Sequence, residues 1–506
     1  MNSWILIPVF LPVISGIFLL MAAFRKHPES VQISAGERHR LHLIVGTVLL
    51  ISAVLAVAAV WTGEKSLTLF YLMEEIPIYF HIDGISRIFV TFTSIVWVCA
   101  GSYGFIYIQH EGKETGFFGF FLLVYGVVIA LDFSGNLVTL YFFYELMTLT
   151  SAPMVLHHGS KGAMIGTLKY LFYSLCGAYM GLFGIFFLYR YCDTLTFTSG
   201  GTLNLTAAQD HRTILLIAVF VMLVGFGAKA GMFPLHSWLP AAHPVAPSPI
   251  SAVFSGILVK GGVLATIRTV YYIVGPDFIR GTWVQTAWII LTLLTIFMGS
   301  MMAYREPVLK RRLAYSTVSQ VSYILFGLAL LNPTGMTGAL LHTVFHALIK
   351  ATLFLSAGVF ILEGDKSRVD ELTGIGKRMP KTLWCYTFAS LALIGIPPAS
   401  GFISKWYLAQ GALQGVQQAK FGVFRWLGPI VLLISALLTA GYLLPVTMKG
   451  FLPGKDPRYQ QGTPGDEEPP GFMLVPMAIL AALTFIFGIF PNPLTKYIVQ
   501  LVSGLM

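Results

Sequence analysis

Charged residues are scarce in this chain. Only 11% of its 506 residues are Asp, Glu, Lys or Arg, whereas a soluble protein has roughly 25%. Hydrophobic residues make up 56%, and the mean hydropathy is +0.76. Apolar runs of about 20 residues, enough for a helix to cross a hydrocarbon core of roughly 30 Å, recur along the sequence. The composition leaves no room for a soluble domain of ordinary size and predicts an all-α polytopic membrane protein.

Cysteines are few and far apart. Cys99, Cys176, Cys192 and Cys385 form no CxxC or Cys/His pattern that would indicate zinc or an iron–sulfur cluster. The chain also lacks a Rossmann glycine motif and a nucleophile arrangement. We therefore expect no cofactor, no metal, and no electron transfer or covalent catalysis in this chain, although it could be part of an ion-translocating oxidoreductase. The net charge is +10, but the basic residues lie in short connections between spans and form no patch with aromatic residues. This distribution argues against nucleic-acid binding.

Hydropathy predicts about 14 transmembrane spans. Their predicted starts are Ser3, Leu41, Ile85, Gly116, Gly135, Tyr170, Thr213, Pro249, Trp283, Arg312, Gly335, Thr382, Leu427 and Phe472. If the N-terminus is outside, most basic residues of the connections are cytoplasmic, among them Lys26, Lys310, Arg311, Arg312, Lys455 and Arg458, and few, such as Lys65 and Lys420, are outside. The positive-inside rule thus predicts both termini outside in a prokaryotic-type cytoplasmic membrane, with residues 310–312 as topology anchors. The Pro-, Gly- and acid-rich loop 450–471 is expected to be mobile.

Two spans are interrupted in the same style. One contains Gly231, Pro234 and Pro240, and the other contains Gly395, Pro397, Pro398 and Gly401. Proline removes a helix hydrogen bond, so each span should break. Broken helices at corresponding places in two halves are typical of inverted-repeat transporters. We therefore predict N-terminal helices in 1–115, a first repeat in 116–275, a second, inverted repeat in 283–450 and a C-terminal transmembrane helix in 472–506; two ordinary proline kinks are the alternative.

Ionisable residues inside the spans need an explanation, because each costs about 2.5–3.5 kcal/mol at mid-membrane on insertion scales. Glu145 lies in an otherwise apolar span and needs a partner within the bundle. Lys229, just before the first break, is the natural candidate, and freed backbone carbonyls could stabilise its ammonium. A purely structural ion pair is the alternative interpretation.

Further basic residues continue the series. Lys260 is flanked by glycines that allow other backbones to approach, and Lys405 follows the second break. His342, His346 and Lys350 recur at i, i+4 and i+8, which places them on nearly one helix face. Histidine titrates near neutrality, and small movements of a partner can change the charge of a lysine, so these residue types suit a proton relay. Alternatively, Lys260 and Lys405 snorkel to an interface, and His342 is a satisfied core histidine.

A second, weaker group of polar residues could hold water. His236 and His243 lie in a Pro-rich segment after the first break, where they either cap backbone groups or join a water path. Ser316, Ser319 and Gln320 lie within one span and form the rest of the predicted water path.

These residues occur in motifs that resemble a known family. The motifs are YELMTLTS, GAKAGMFPLHSWLPAAHPVAPSPISAVFSGILVKGG, LKRRLAYSTVSQ, FHALIKATLFL and GIPPASGFISKW. They are similar to the proton-conducting antiporter-like subunits of respiratory complex I, Mrp cation/proton antiporters and membrane-bound hydrogenases. The resemblance implies two inverted repeats with Glu145 and Lys229 as the charged pair of the first half-channel. Lys260, His342, His346, Lys350 and Lys405 would form the central hydrophilic axis, whose last residue is glutamate in some members. A long lateral helix is not expected, which favours the D-type protein of Mrp antiporters or its relatives.

The sequence leaves three functional hypotheses. In the first, events in partner subunits shift the Glu145–Lys229 pairing and one proton moves through the axis to Lys405. The second is sodium/proton exchange in an Mrp-type complex. The third is a structural membrane scaffold whose buried charges fix helix packing. The expected partners are other membrane subunits, protons or sodium ions, and the lipid bilayer.

Overall fold

The computed structural model of the chain describes residues 3–25, 33–73, 76–414, 422–454 and 467–506, which are mostly helical. The helices before residue 280 are α1 (Ile7–Arg25), α2 (Ala35–Trp61), α3 (Gly84–Glu111), α4 (Glu114–Asp132), α5 (Leu137–Val155), α6 (Lys161–Tyr191), α7 (Leu205–Ala208), α8 (Arg212–Lys229), α9 (Trp238–Ala242), α10 (Ser248–Val253), α11 (Val259–Ile267) and α12 (Pro276–Ile279). The helices after it are α13 (Trp283–Arg305), α14 (Leu309–Ala329), α15 (Pro333–Leu362), α16 (Pro380–Ile394), α17 (Ser400–Gln414), α18 (Gly422–Phe451), α19 (Gly471–Ile489) and α20 (Asn492–Ser503). The protein is thus an all-α multi-pass membrane protein, as predicted.

The helices that can span a membrane are fewer than the predicted spans. Within the described residues, 11 helices are long and apolar enough to cross a membrane. The other three predicted spans fall on α5, on α14 and on the pair α16–α17, which are helical. The count of about 14 therefore stays a prediction.

Helix starts depend on polar caps as well as on hydropathy. The span predicted to start near Tyr170 begins at Lys161, where the Ser160 hydroxyl accepts a hydrogen bond from the Ala163 amide. Helix α2 begins six residues before the predicted Leu41, at a capping box formed by Ser34. Both caps satisfy amides of the first turn, and both precede the apolar window that the hydropathy pattern detects.

A β-hairpin that the sequence analysis missed precedes α3. Strands β1 (Lys65–Met73) and β2 (Ile76–Ile82) pair antiparallel. Strand β2 is tied to the bundle because the His81 amide donates to the Phe133 carbonyl. The hairpin therefore covers the ends of the helices on the side predicted to be outside.

Both predicted helix breaks are present. Helix α8 ends at Lys229 and is followed by turns and the short α9, while α16 ends at Ile394 and α17 starts six residues later. Gly231 and Gly395 at these breaks have positive φ angles of 81° and 92°, which glycine adopts at no steric cost. Gly401 packs so tightly that an added Cβ would clash with the Ala392 carbonyl oxygen.

An unpredicted irregularity flanks Lys260. The continuous helical segment Ser248–Val274 contains two π-helical stretches, Phe254–Leu258 and Arg268–Val274, on either side of α11. π-Turns are rare and frequently occur at functional sites. This segment is entirely buried inside the bundle.

The C-terminal segment 472–506, predicted as one transmembrane helix, contains two helices. Helix α19 ends at Ile489, and the separate α20 begins after Pro491. Helix α20 buries Ile498 and Val502, and the Tyr497 hydroxyl donates to the Gly84 carbonyl at 3.1 Å. Residues 455–466 of the predicted mobile loop, and the basic residues Lys26, Lys420, Lys455 and Arg458, lie outside the described residues.

Candidate functional site

Lys229 is held by hydroxyl groups. Its Nζ donates to Thr148 Oγ1 at 2.8 Å and to Tyr170 Oη at 2.7 Å, with Ser174 Oγ at 3.5 Å. The residue has no solvent exposure. The expected carbonyl partners of the break are engaged elsewhere, since the Ala228 carbonyl accepts from Trp238 Nε1 and the Phe226 carbonyl from the Ala230 amide.

Glu145 and Lys229 are not in direct contact, so the predicted pairing is wrong at the level of an ion pair. Tyr141 Oη donates to Glu145 Oε1 at 3.2 Å, and the buried Glu145 Oε2 has no hydrogen-bond partner among the described residues. The two charges are still near enough to interact electrostatically. Thr148, which holds Lys229, lies three residues after Glu145 on α5 and therefore one helical turn away.

Lys260 contacts a histidine of another helix. Its Nζ donates to His346 Nδ1 and to the Ser255 carbonyl, both at 2.6 Å. With Lys260 as donor, the ring accepts at Nδ1 and carries its own hydrogen at Nε2, an assignment that follows from the hydrogen-bond pattern. Lys260 is 1% exposed, so it does not snorkel. An added Cβ on Gly262 would lie 2.5 Å from the Phe226 carbonyl oxygen and 2.9 Å from the Ala230 amide nitrogen, which confirms the predicted close approach of backbones here.

His342 continues the line of buried groups on α15. Its ring centroid lies 5.9 Å from that of His346, and its Nδ1 lies 2.9 Å from Ser404 Oγ. Its ring also stacks on Tyr323 at 5.6 Å. The Nε2 atoms of both histidines are buried and have no partner in the described part of the chain, so His342 is not a fully satisfied core histidine.

Lys350 and Lys405 lie at the two ends of this line. Lys350 Nζ donates to the Leu313 carbonyl at 2.9 Å, one turn of α15 beyond His346. Lys405 Nζ donates to the carbonyls of Leu393 at 2.6 Å and Ile394 at 2.9 Å. These carbonyls end α16 and lack intrahelical partners. Lys405 thus points into the second break instead of snorkelling to an interface.

The predicted water-path residues fall into two groups. Ser316 accepts from Tyr442 Oη at 2.7 Å, and Ser319 Oγ lies 2.8 Å from Ser300 Oγ. In contrast, both amide atoms of Gln320 are buried without a partner in the described structure. Buried polar atoms of this kind are ordinarily satisfied by water, so Gln320 favours a hydrated site in α14.

The two histidines of the Pro-rich segment resemble Gln320 in this respect. His236 Nδ1 and His243 Nε2 are buried and have no partner among the described residues. The His236 ring also interacts with the Pro234 carbonyl, so both alternatives stay open for His236, whereas the unpartnered His243 Nε2 favours the water path.

The interpretation of residues 310–312 as topology anchors is wrong for two of the three. Lys310 is 4% exposed and donates from Nζ to the Ala246 carbonyl at 2.6 Å. Arg312 is also buried and donates to the carbonyls of Glu306 and Tyr442. Only the side chain of Arg311, which is 45% exposed, fits an anchor. The positive-inside rule counts charges near a loop but does not reveal which side chains turn inward.

Sequence reasoning also missed a buried ion pair under the hairpin. Arg268 donates to both carboxylate oxygens of Asp83, at 2.5 and 2.8 Å. Burial favours the neutral acid, but the charge and hydrogen bonds of Arg268 hold the pKa of Asp83 at about 2. Asp83 also caps α3, as its position suggests, by accepting from the Ser86 amide. A lone arginine in the apolar run around Arg268 was the available signal.

Known proteins share both the sequence and the fold. The chain is 32% identical to the N-type protein of NADH-quinone oxidoreductase from Desulforudis audaxviator over 435 residues, 83% of each protein. It is 28% identical to the D-type protein of the Na(+)/H(+) antiporter from Alkalihalophilus pseudofirmus over 507 residues, covering 100% of this chain and 98% of that protein. A chain in the structure of the Mrp complex from Dietzia sp. DQ12-45-1b superposes with a TM-score of 0.83 at 22% identity. The match covers 100% of this chain and 97% of that chain. Residues 134–434 match the family described as NADH:quinone oxidoreductase/Mrp antiporter, TM. The chain belongs to this family of antiporter-like membrane subunits.

Proposed function

We propose that this chain translocates protons as one membrane subunit of a multisubunit complex. The observation that carries the proposal is the 2.6 Å contact between Lys260 Nζ and His346 Nδ1. Proton transfer needs a donor and an acceptor roughly 2.6–3.2 Å apart, and this pair is buried. Lys260 lies in the predicted first repeat and His346 in the second, so the contact provides a proton connection between the two halves.

The first half would set the charge of Lys229. A change in partner subunits alters the position or charge of Glu145, whose free Oε2 can accept a new donor. Lys229 is held by hydroxyls, which both donate and accept and therefore fit its charged and its neutral form. Lys229 Cβ packs against Gly262, two residues after Lys260, so a movement of Lys229 that follows its change of charge is passed to the helix of Lys260.

The second half would carry the proton onward. From Lys260 it passes to His346 and then along α15 to His342, with water completing the step between the two rings. Ser404 and Tyr323 contact His342 on the side of Lys405. Lys405 is the last residue of the axis, and one proton moves per cycle.

Sodium/proton exchange is the second candidate. The observation that favours it is the match over the whole chain to a protein whose name assigns it to a Na(+)/H(+) antiporter. Transport that depends on sodium in vesicles separates exchange from proton pumping alone.

The partners follow from the same relatives. Their names describe one member of an oxidoreductase and one member of an antiporter complex, so we expect neighbouring membrane subunits around this chain. The membrane is the prokaryotic-type cytoplasmic membrane with both termini outside. Accessibility of an N-terminal tag in intact cells, compared with opened cells, checks this orientation.

The decisive experiment is proton pumping by the assembled complex in vesicles. Lys229→Ala and Glu145→Gln are expected to abolish pumping while assembly, checked by co-purification, is retained. Lys169→Ala is the matched control, because Lys169 is exposed on α6 and should leave pumping unchanged. Full pumping in both test variants would support the scaffold hypothesis and overturn the relay.

A further inference from the structure

A set of buried ionisable groups lies outside the relay, on the membrane side predicted to be cytoplasmic. Glu111 ends α3, Lys310 is in the first turn of α14, and His243 lies between α9 and α10. The relay proposed above uses none of the three, although His243 belongs to the predicted water path. Each is costly to bury in a membrane protein without a purpose.

Glu111 meets the aqueous face mainly through His158. Its Oε2 lies 3.2 Å from His158 Nε2, and the two side chains are 12% and 40% exposed. The nearby His157 is largely buried, and burial together with the charges of His158 and Lys113 lowers its pKa to about 4. His158 is therefore the titratable group of this loop that meets water beside Glu111.

Lys310 connects this surface to the interior. The charges of Glu111 and Lys310 act on each other, although no direct ion pair joins these two described residues. Lys310 Nζ donates to the Ala246 carbonyl, three residues after His243. The charges of Lys310 and Lys350 both act on His243, so this histidine lies near both lysines.

The inner end of the set meets the relay at Lys350. His243 stacks on Phe354 at 4.6 Å, and Lys350 Nζ lies 6.0 Å from the same ring. Lys350 donates to the carbonyl of Leu313, which follows Lys310 by three residues on α14, a rise of about 4.5 Å. The buried His243 Nε2 has no partner in the described structure and is free for a water molecule.

We propose that Glu111, Lys310 and His243 form the uptake route that supplies protons from the side of His158 to Lys350. The inference rests on the proposed function, because it names where the protons of that relay come from. Glu111 collects the proton at the surface, Lys310 and His243 carry it inward with bridging water, and Lys350 delivers it one helix turn from His346.

The test is Glu111→Gln in the assembled complex, with proton pumping measured in vesicles over a range of pH on the His158 side. Glutamine keeps the size and polarity of the side chain but does not ionise. Pumping near neutral pH is expected to fall about tenfold, equivalent to a barrier about 1.4 kcal/mol higher. The matched control is Glu363→Gln, a half-buried acid at the end of α15.

The pH profile separates uptake from structure. The groups that face Glu111 are Tyr107 on α3, His158 in the α5–α6 loop and Lys310 on α14. If Glu111 collects protons, the deficit of Glu111→Gln shrinks as pH falls, because more protons reach Lys310 directly. A deficit that is constant with pH, or no deficit, overturns the uptake route. Loss of pumping in Lys229→Ala but not in Glu111→Gln would overturn this route alone, whereas full pumping in Lys229→Ala would overturn the relay itself.

Discussion

At the first helix interruption Lys229 is surrounded by hydroxyl groups, whereas at the second Lys405 is held by main-chain carbonyls. At the first break the free carbonyls accept hydrogen bonds from the Ala230 amide and from Trp238, so Lys229 donates to side chains instead. At the second break the last carbonyls of α16 remain for Lys405. Hydroxyls accommodate a lysine with or without its extra proton, but carbonyls only accept. The two breaks are alike in sequence and different in chemistry: the groups around the first lysine can donate or accept, and those around the second only accept.

Replacement of Lys405 by methionine should have the largest effect on stability. Lys405→Met leaves the Leu393 and Ile394 carbonyls without their donor in a buried break. At about 1–3 kcal/mol for each of the two unsatisfied groups, the free energy of unfolding should fall by about 2–6 kcal/mol. The midpoint of thermal unfolding in detergent measures this loss of stability. Lys449→Met, at an exposed lysine of α18, is the control. An equal fall of the melting temperature in Lys449→Met would contradict a specific stabilising role of Lys405.

Replacement of Lys229 by methionine should cost less stability. After Lys229→Met the Tyr170 hydroxyl keeps Ser151 at 2.7 Å and Thr148 keeps the Tyr144 carbonyl at 3.2 Å. The expected loss is about 1–2 kcal/mol, because few groups are left unsatisfied. The same melting experiment tests this value. A loss as large as that of Lys405→Met would show that the two breaks do not differ as described.

Removal of one hydroxyl at the first break should have the smallest effect. Tyr170→Phe takes one of the three hydroxyl neighbours from Lys229 but leaves Thr148 in place. We expect a stability loss of about 0.5–1 kcal/mol and slower pumping rather than none. Tyr179→Phe on the exposed face of the same helix is the control, and it should change neither quantity. Unchanged pumping in Tyr170→Phe would argue against hydroxyls as the switching environment.

The sequence predicted the positions of the relay residues better than their contacts. The spacing of His342, His346 and Lys350 is sufficient to place them on one face of α15, and proline pairs are sufficient to end α8 and α16. Which group touches which depends on side-chain direction and on how helices cross, so the direct Glu145–Lys229 pair was a wrong prediction. The inward turn of Lys310 was missed for the same reason.

Irregular elements were hardest to predict. The β-hairpin has no membrane signal, because its strands are too short and too mixed in polarity for a hydropathy window. The division into α19 and α20 was missed because the apolar run continues past Ile489, and only Pro491 and Pro493 indicate a new helix. The predicted domain boundaries and inverted repeats remain predictions.

The π-helical stretch before Lys260 has a consequence for sequence length. A π-turn holds one residue more than an α-turn. The stretch Phe254–Leu258 therefore accommodates an extra residue within a single turn of the helix. If this stretch changed to regular α-helix, every later residue would rotate by about 100° around the helix axis. Lys260 would then point away from His346. The direction of Lys260 therefore depends on the extra residue in Phe254–Leu258: conversion of this stretch to α-helix at constant length would separate Lys260 from His346, whereas deletion of one residue there would keep them facing each other.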